Sequence, residues 1–156
     1  MESGNANLIL PRLWLGNKRA SVDEAFLRKN NITVVFNCTK DLPFSPRILR
    51  KYRVPVDDNL EPQEISNMEH WAAEIVMKVI MEYKRGNSIL IHCYAGMQRS
   101  AAVMAMVVIA LTKQPMDSVV AFLREKRPVA FFPAINFERS IRTFESDFRN
   151  SYLYTV

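Results

Sequence analysis

The chain has 156 residues, the length of one ordinary domain, and 49% of them are apolar, which predicts a globular protein and excludes long disorder. Lys and Arg number 21 against 16 Asp and Glu, and the net charge of 21 − 16 = +5 suits an anionic partner or ordinary solubility. Two cysteines exclude a disulfide scaffold, and the longest apolar run, Ala101–Leu111, is shorter than the ~20 residues that span a bilayer. We therefore expect one domain over 1–156 in a reducing cytoplasmic or nuclear compartment, without a signal peptide.

Hydrophobic patterns in the first sixty residues indicate three strands and one helix. In chain order they predict a strand over 13–16, a helix over 22–29, a strand over 32–38 and a strand over 51–56. Ser21 and Glu24 have the spacing of a capping box, so we expect Ser21 to cap the helix and Glu24 to reach back.

The remainder of the chain is predicted to contain one more strand and four helices. The helices are expected over 66–85, 100–111, 115–126 and 136–148, and the strand over 88–92. This alternation is typical of an α/β fold with a central, mostly parallel twisted sheet flanked by helices. Such sheets bind ligands beyond the carboxyl ends of their strands, here the loops that begin at Cys38, Asp57 and Cys93.

The loop between the last predicted strand and the apolar helix carries the clearest chemical signal, IHCYAGMQRSA from Ile91 to Ala101. It places Cys93 at a strand end and Arg99, after five intervening residues, at a helix start. So short a loop can turn its backbone N–H groups inward and bind an anion together with the positive end of the helix. The candidate phosphate-binding residues are therefore Tyr94, Ala95, Gly96, Met97, Gln98 and Arg99.

Three side chains of this segment are candidate catalytic residues. The positive environment favours the thiolate of Cys93, and the planar fork of Arg99 matches two oxygens of a phosphate. Ser100 can donate a hydrogen bond to the sulfur. The alternative is that the cysteine is a packed core residue and the arginine a solvated one. The full string HCxxGxxRS, between a strand and a buried helix, favours the anion site.

The sequence resembles the dual-specificity phosphatase family of cysteine-based protein phosphatases over nearly the whole chain. The similar segments are LPRLWLGN, ITVVFNCT, VPVDD, IHCYAGMQRSA, FLREKRP and NFERSIRTFE. The resemblance implies that Cys93 is the nucleophile, Arg99 binds the phosphate and Asp58 protonates the leaving oxygen. It also implies that Ser100 assists breakdown of the intermediate, and that His92 positions the loop and tunes the cysteine.

By the same resemblance the chain hydrolyses phosphotyrosine and phosphoserine or phosphothreonine in proteins, so that phosphorylated proteins are its partners. The reaction would pass through a phosphocysteine and need no metal or other cofactor. The sequence carries no signal of oligomeric state. The stretch 40–46 is too short to form a high wall around the phosphate-binding loop. We therefore expect a shallow pocket that admits phosphotyrosine, phosphoserine and phosphothreonine.

Several positions leave alternatives open. Spacing alone does not separate Asp58 from a turn-forming Asp57, but the register of VPVDD against the family favours Asp58. Many relatives have Pro-Asn followed by Gly-Phe before the last helix, whereas 133–137 is Pro-Ala-Ile-Asn-Phe. A supporting amide contact near the signature loop is therefore either missing or supplied by Asn136. Arg127 is either a solvated helix end or a ligand for a second substrate phosphate.

Other branches of the superfamily supply rival functions. Lipid phosphatases have lysines inside the loop, where Tyr94 and Met97 stand here, which disfavours a phosphoinositide substrate. RNA 5′-triphosphatases have an Asn before the arginine and a Thr after it, where Gln98 and Ser100 stand here. Nucleic acid is therefore a possible but not preferred partner. A non-catalytic phosphoprotein-binding module is disfavoured because Cys93 and the acid are intact.

Cys38 raises a separate question of redox chemistry. It ends a predicted strand that would finish on the same rim as Cys93, so it could form a disulfide with an oxidised Cys93. The alternative is that Cys38 is only a packed core residue, with strand alternation aiming its sulfur away.

Overall fold

The computed structural model describes residues 4–151, and a five-stranded sheet forms the centre of this part of the chain. The strands are β1 (Ala6–Leu10), β2 (Leu13–Gly16), β3 (Ile32–Asn37), β4 (Arg50–Arg53) and β5 (Ser88–His92), in the spatial order β1-β2-β5-β3-β4. β1 and β2 form an antiparallel pair at one edge, and all other neighbours are parallel. The prediction of a mostly parallel sheet is therefore confirmed.

Helices cover both faces of this sheet. Within the described residues they are α1 (Lys18–Ser21), α2 (Glu24–Lys29), α3 (Pro62–Lys84), α4 (Arg99–Thr112), α5 (Met116–Lys126) and α6 (Glu138–Arg149). α1 and α2 pack on one face, through Ala20 and Leu27, and α3 to α6 pack on the other, where the larger apolar cluster lies. The predicted α/β architecture with helices on both sides is thus confirmed.

Strand alternation assigns the buried side chains of β3 and β5 to the two faces. Val34 and Phe36 face the larger cluster together with Ile89 and Ile91, whereas Leu90 faces the smaller one. Parallel strands that are covered on both faces consist of nearly continuous apolar residues, which explains why both were evident from sequence.

α4 is the central helix of the core. Its side chains are buried from Ser100 to Ile109, so Met104 and Met106 are core residues, as the apolar run predicts. No single helix among residues 4–151 is long and apolar enough to cross a membrane. α4 and α5 reach that length and hydropathy only as a pair, and they are bent by 119° at their junction.

The predicted capping box at Ser21 is wrong. The N-cap of α2 is Asp23, whose carboxylate accepts a hydrogen bond from the Phe26 N–H at 3.1 Å. Ser21 ends α1 instead and donates to the Lys18 carbonyl. The carboxylate of Glu24 accepts from the Ser45 hydroxyl, so it does not reach back along the chain. An aspartate closer to the helix is therefore the cap.

The carboxyl ends of β3, β4 and β5 meet at one edge of the sheet, where the predicted loops begin. The Cys38 N–H donates to the His92 carbonyl at 2.8 Å, and the Val54 N–H donates to the Asn37 carbonyl at 2.9 Å. The buried Asn37 amide also donates to the Leu42 carbonyl at 2.8 Å, which fixes the loop after β3. The three loops are therefore neighbours.

Candidate active site

The loop of residues 93–98 joins β5 to α4 and requires a glycine at position 96. Gly96 has φ +69°, a left-handed conformation that side chains disfavour. A Cβ atom there would lie 2.5 Å from the Gly16 carbonyl oxygen and 2.8 Å from a guanidinium nitrogen of Arg127. The loop is thus pressed against β2 on one side and against Arg127 on the other.

Cys93 and Ser100 lie next to each other at the two ends of this loop. The sulfur of Cys93 is 3.1 Å from the hydroxyl oxygen of Ser100, and both residues are buried. A hydroxyl donor at this distance can stabilise a thiolate, both in the free protein and when a thiolate departs from phosphorus. The pair that the sequence predicted for nucleophile and assisting hydroxyl is therefore in direct contact.

Arg99 begins α4 and has unused hydrogen-bonding capacity. One of its terminal nitrogens donates to the Val56 carbonyl at 3.1 Å, which connects it to the loop after β4. Its Nε is buried and has no hydrogen-bond partner within residues 4–151, and no carboxylate there pairs with the guanidinium. A buried donor left unpaired costs about 1–3 kcal/mol. A phosphate oxygen beside Cys93 would supply the missing acceptor.

Arg127 differs from its sequence-based interpretation, because it is neither solvated nor free to bind a second phosphate. Its side chain is 1% exposed. Nε donates to the Gly96 carbonyl at 2.8 Å, and the terminal nitrogens donate to the Ala95 carbonyl at 3.2 Å and to Asn7 Oδ1 at 2.8 Å. Burial lowers the pKa of this guanidinium from its ordinary value, while the nearby Cys93 sulfur acts in the opposite direction. The guanidinium group of Arg127 therefore holds the backbone of the loop through its carbonyl groups.

We expect Arg127→Met to lower kcat/KM by about 100-fold, since displacing catalytic groups by about 1 Å has that effect. Arg127→Lys retains the positive charge but not the planar guanidinium group, so it should restore little of the lost kcat/KM. Lys126→Met, on the exposed neighbour, is the matched control and should keep the wild-type rate. Steady-state kinetics beside a thermal melt measure this, and a well-folded Arg127→Met with wild-type kcat/KM would contradict the role of the fork.

His92 is neutral at physiological pH. Burial lowers its pKa from 6.5 to about 4, and Arg53 and Arg99 act in the same direction. Its Nδ1 lies 3.2 Å from the Cys93 carbonyl oxygen, a contact that requires the proton on Nδ1. The positive charge around Cys93 therefore comes from the arginines, and His92 holds the backbone of the loop.

This pKa predicts a loss of stability in mild acid. In the unfolded chain His92 takes up a proton near pH 6.5, whereas in the folded protein it does so only near pH 4. The free energy of unfolding should therefore fall by up to about 3 kcal/mol as the pH drops through this window. His92→Gln should remove this part of the slope in denaturant titrations, and the exposed His70→Gln should not. Parallel slopes for wild type and His92→Gln would contradict the assignment.

Asp57 and Asp58 follow β4 but have different partners. The Asp57 carboxylate pairs with Lys40 at 3.1 Å, and Lys40 also pairs with Glu64 at 2.8 Å. The Glu64 carboxylate in turn accepts from the Asp57 N–H at 3.0 Å. The carboxylate of Asp58 is exposed and accepts a hydrogen bond from the Asn136 side chain at 2.9 Å. Asp57 is thus bound to the α3 side, which leaves Asp58 as the candidate acid.

Gln98 supplies the amide contact that the sequence left open. Its side-chain oxygen accepts from the Asn136 N–H at 2.9 Å. Its side-chain nitrogen donates to the Ala134 carbonyl at 2.7 Å and to the Phe132 carbonyl at 3.3 Å. Gln98 therefore contributes its backbone to the loop, and its side chain connects the loop to the segment before α6. No local sequence pattern indicates this use of Gln98, since its partners are more than thirty positions away.

The outer part of the loop is exposed. Tyr94 is 55% exposed, and the Lys18 ammonium donates to its hydroxyl at 2.7 Å, which holds the pKa of the phenol below its ordinary value. Ala95 is exposed, and the Met97 carbonyl accepts from the Phe131 N–H at 2.8 Å. Tyr94 and Ala95 therefore form the exposed part of the loop that follows Cys93.

Cys38 and Cys93 each directly follow the last residue of a strand, and the two strands are neighbours in the sheet. Asn37 and His92 are register partners, adjacent strands lie about 4.8 Å apart, and disulfide Cα atoms lie about 4.4–6.8 Å apart. Both cysteines belong to the same apolar cluster, so strand alternation does not turn the Cys38 sulfur to the opposite face. Burial, and to a lesser degree the charge at Cys93, raises the pKa of the Cys38 thiol well above its ordinary value.

We expect mild peroxide to inactivate the protein reversibly through these two thiols. Peroxide oxidises the Cys93 thiolate to a sulfenic acid with loss of hydroxide, and Cys38 then displaces water to form a disulfide. The second step should be slow, because Cys38 reacts mainly as the thiol. A Cys38–Cys93 linked peptide in mass spectrometry is the expected product. If added thiol restores the activity of Cys38→Ala to the same extent as that of the wild type, Cys38 is only a packed core residue.

The α/β fold, the short loop between β5 and α4 and the Cys93–Ser100 contact together are the arrangement that the resemblance to cysteine-based phosphatases leads us to expect. Its sequence matches the family described as dual specificity phosphatase, catalytic domain, over residues 13–147. Because that match covers most of the chain, the chain belongs to this family.

Two curated relatives and one solved structure are similar to this chain. It is 30% identical over 142 residues to tyrosine-protein phosphatase vhp-1 of Caenorhabditis elegans and 27% identical over 144 residues to dual specificity protein phosphatase 16 of Homo sapiens. These matches cover 89% and 91% of this chain but 21% of each relative, so the chain spans about a fifth of their length. The crystal structure of DUSP15 has the same fold, with a TM-score of 0.84 at 24% identity over 97% of this chain and 94% of that chain.

Proposed function

We propose that this chain is a protein phosphatase domain that hydrolyses phosphotyrosine and phosphoserine or phosphothreonine through a phosphocysteine. The observation that carries the proposal is the pairing of the Cys93 sulfur with the Ser100 hydroxyl at 3.1 Å, beside an Arg99 Nε–H that has no acceptor in residues 4–151. A phosphoryl group is the anion whose size and charge suit that arrangement. The name of each curated relative, a protein phosphatase, supports the same activity.

The reaction would proceed in two displacements. The Cys93 thiolate attacks phosphorus and the bond to the leaving oxygen breaks, while Asp58 gives that oxygen a proton. Water then attacks the phosphocysteine, Asp58 accepts its proton, and the thiolate departs with a hydrogen bond from Ser100. Arg99 and the N–H groups of the loop hold the phosphoryl oxygens throughout.

The exposed part of the loop supports broad substrate choice. Tyr94 and Ala95 are exposed, and within the stretch 40–46 the Leu42 carbonyl accepts from Asn37 and the Ser45 hydroxyl donates to Glu24. Short phosphoserine and phosphothreonine should therefore reach the sulfur as well as the longer phosphotyrosine.

A substrate panel tests this proposal. It compares phosphotyrosine and phosphothreonine in one peptide sequence with RNA that carries a 5′-triphosphate and with phosphoinositide vesicles. We expect both peptides to be hydrolysed, with kcat/KM values within about a thousandfold, and no effect of a chelator. A larger preference for phosphotyrosine would indicate a deep pocket. Turnover restricted to RNA or lipid would contradict the proposal, as would strict metal dependence.

A reducing location is part of the same proposal, because a thiolate nucleophile is active only while it is reduced. A cytoplasmic or nuclear location fits this requirement, and fractionation of cells that express the tagged full-length protein tests it. Recovery of the protein mainly from an oxidising compartment would contradict it.

A further inference from the structure

Two neighbouring carboxylates, Asp57 and Asp58, are held by partners of different charge. Asp57 pairs with the Lys40 ammonium, and that ammonium also pairs with Glu64. The Asp58 carboxylate accepts from the neutral Asn136 side chain at 2.9 Å, and no lysine, arginine or histidine within residues 4–151 pairs with it. The difference matters because a general acid must gain and lose a proton in every cycle.

A neutral amide suits that requirement better than a cation does. The side-chain amide of Asn136 can donate to Asp58 Oδ1 whether or not Oδ2 carries the proton, since each carboxyl oxygen keeps acceptor capacity in both states. A lysine would instead favour the charged form and oppose protonation. Asn136 therefore orients the carboxyl group without fixing its charge.

Asn136 is itself anchored to the signature loop. Its N–H donates to the side-chain oxygen of Gln98 at 2.9 Å, and the Gln98 nitrogen donates to the carbonyls of Ala134 and Phe132. Gln98 is 5% exposed and immediately precedes Arg99 in the chain. Gln98 therefore holds the backbone of Asn136 at the loop, and the Asn136 side chain holds the candidate acid.

We propose that Asn136 is a positioning residue that aims Asp58 at the leaving oxygen, and that Gln98 ties it to the loop that holds the phosphate. The inference rests on the proposed function and adds a residue to it. Ala134 stands where many relatives of the family have the asparagine of Pro-Asn, and Asn136 stands where they have glycine. The contact to Asp58 is thus made from a position that the family pattern does not mark.

Leaving-group dependence separates positioning from a merely structural role. Asn136→Ala should lower kcat/KM about tenfold on a phosphothreonine peptide, the value of about one hydrogen bond to a charged group, with the loss in kcat rather than in KM. The loss of kcat/KM, which reports the first displacement, should be much smaller on p-nitrophenyl phosphate, whose leaving group needs little protonation. Asn136→Asp keeps the shape, replaces the donor by a second carboxylate and should lose at least as much. Asn30→Ala, an amide removed at the end of α2, is the matched control.

A double-mutant cycle makes the coupling quantitative. In an Asp58→Ala background, Asn136→Ala should cost nothing further, because the group that it positions is already gone. Equal losses on both substrates, or full additivity with Asp58→Ala, would overturn the inference. Wild-type hydrolysis of the two phosphopeptides tests the proposed function separately, so a failed cycle in an active enzyme refutes only the role of Asn136.

Discussion

Cys93→Ser should abolish turnover, with a loss of at least about 10⁴-fold on every phosphomonoester. A serine hydroxyl is almost entirely protonated near neutral pH, and the side chain that hydrogen-bonds at this position, the hydroxyl of Ser100, is not a base. Binding should survive, because the N–H groups of the loop, Arg99 and the fork of Arg127 are unchanged. Calorimetry with a phosphopeptide or tungstate measures binding beside the rate.

Cys38→Ala is the matched control, since it removes the other thiol of the chain from the neighbouring strand end. This variant should keep turnover and lose only some stability through the small cavity it leaves. Substantial residual activity in Cys93→Ser would contradict covalent catalysis. Loss of phosphopeptide binding along with turnover would show instead that the variant loop no longer has its shape.

Asp58→Ala should lower kcat/KM by roughly 10²–10⁴-fold on a phosphothreonine peptide, the usual contribution of a general acid. On p-nitrophenyl phosphate the loss of kcat/KM should be much smaller, because this parameter reports the first displacement and that leaving group departs without a proton.

Asp57→Ala provides the comparison within the same loop. Its carboxylate pairs with Lys40, so its loss should destabilise the loop slightly and leave the leaving-group dependence unchanged. If Asp57→Ala shows the large, substrate-dependent loss and Asp58→Ala does not, the assignment of the acid is off by one residue.

Sequence patterns predicted the parts of the fold that local physics controls. β5 (Ser88–His92) was predicted with its observed bounds, because a helix that ends near Gly86 is followed by a short apolar run. β1 escaped prediction because its pattern alternates weakly around Asn7, and the antiparallel pairing with β2 stabilises it. The helix predicted over 22–29 corresponds to α2 (Glu24–Lys29), which begins two residues later because Asp23 is its cap. The short α1, capped by Asn17, was not predicted.

In the candidate site, too, the residues of a local motif were predictable, whereas the residues with partners distant in sequence were not. The signature string contains Cys93, Arg99 and Ser100, and its spacing alone brings the first and last into contact. The roles of Arg127 and Asn136 depend on partners 31 and 78 positions away, so no local pattern reveals them. For Arg127 the sequence even suggests the opposite, because a basic helix end is ordinarily solvated.

The central claim is that phosphate passes through Cys93, and trapping the intermediate tests it most directly. Asp58→Ala should form the phosphocysteine from p-nitrophenyl phosphate and then hydrolyse it slowly, because the base for water is missing. Quenching this reaction during turnover, followed by digestion and mass spectrometry, should give one phosphoryl group on the peptide that contains Cys93. The double variant Asp58→Ala, Cys93→Ser should give none. Turnover of the wild type with no phosphorylated Cys93 peptide in the trapping variant, or with the phosphoryl group on another residue, would contradict the account.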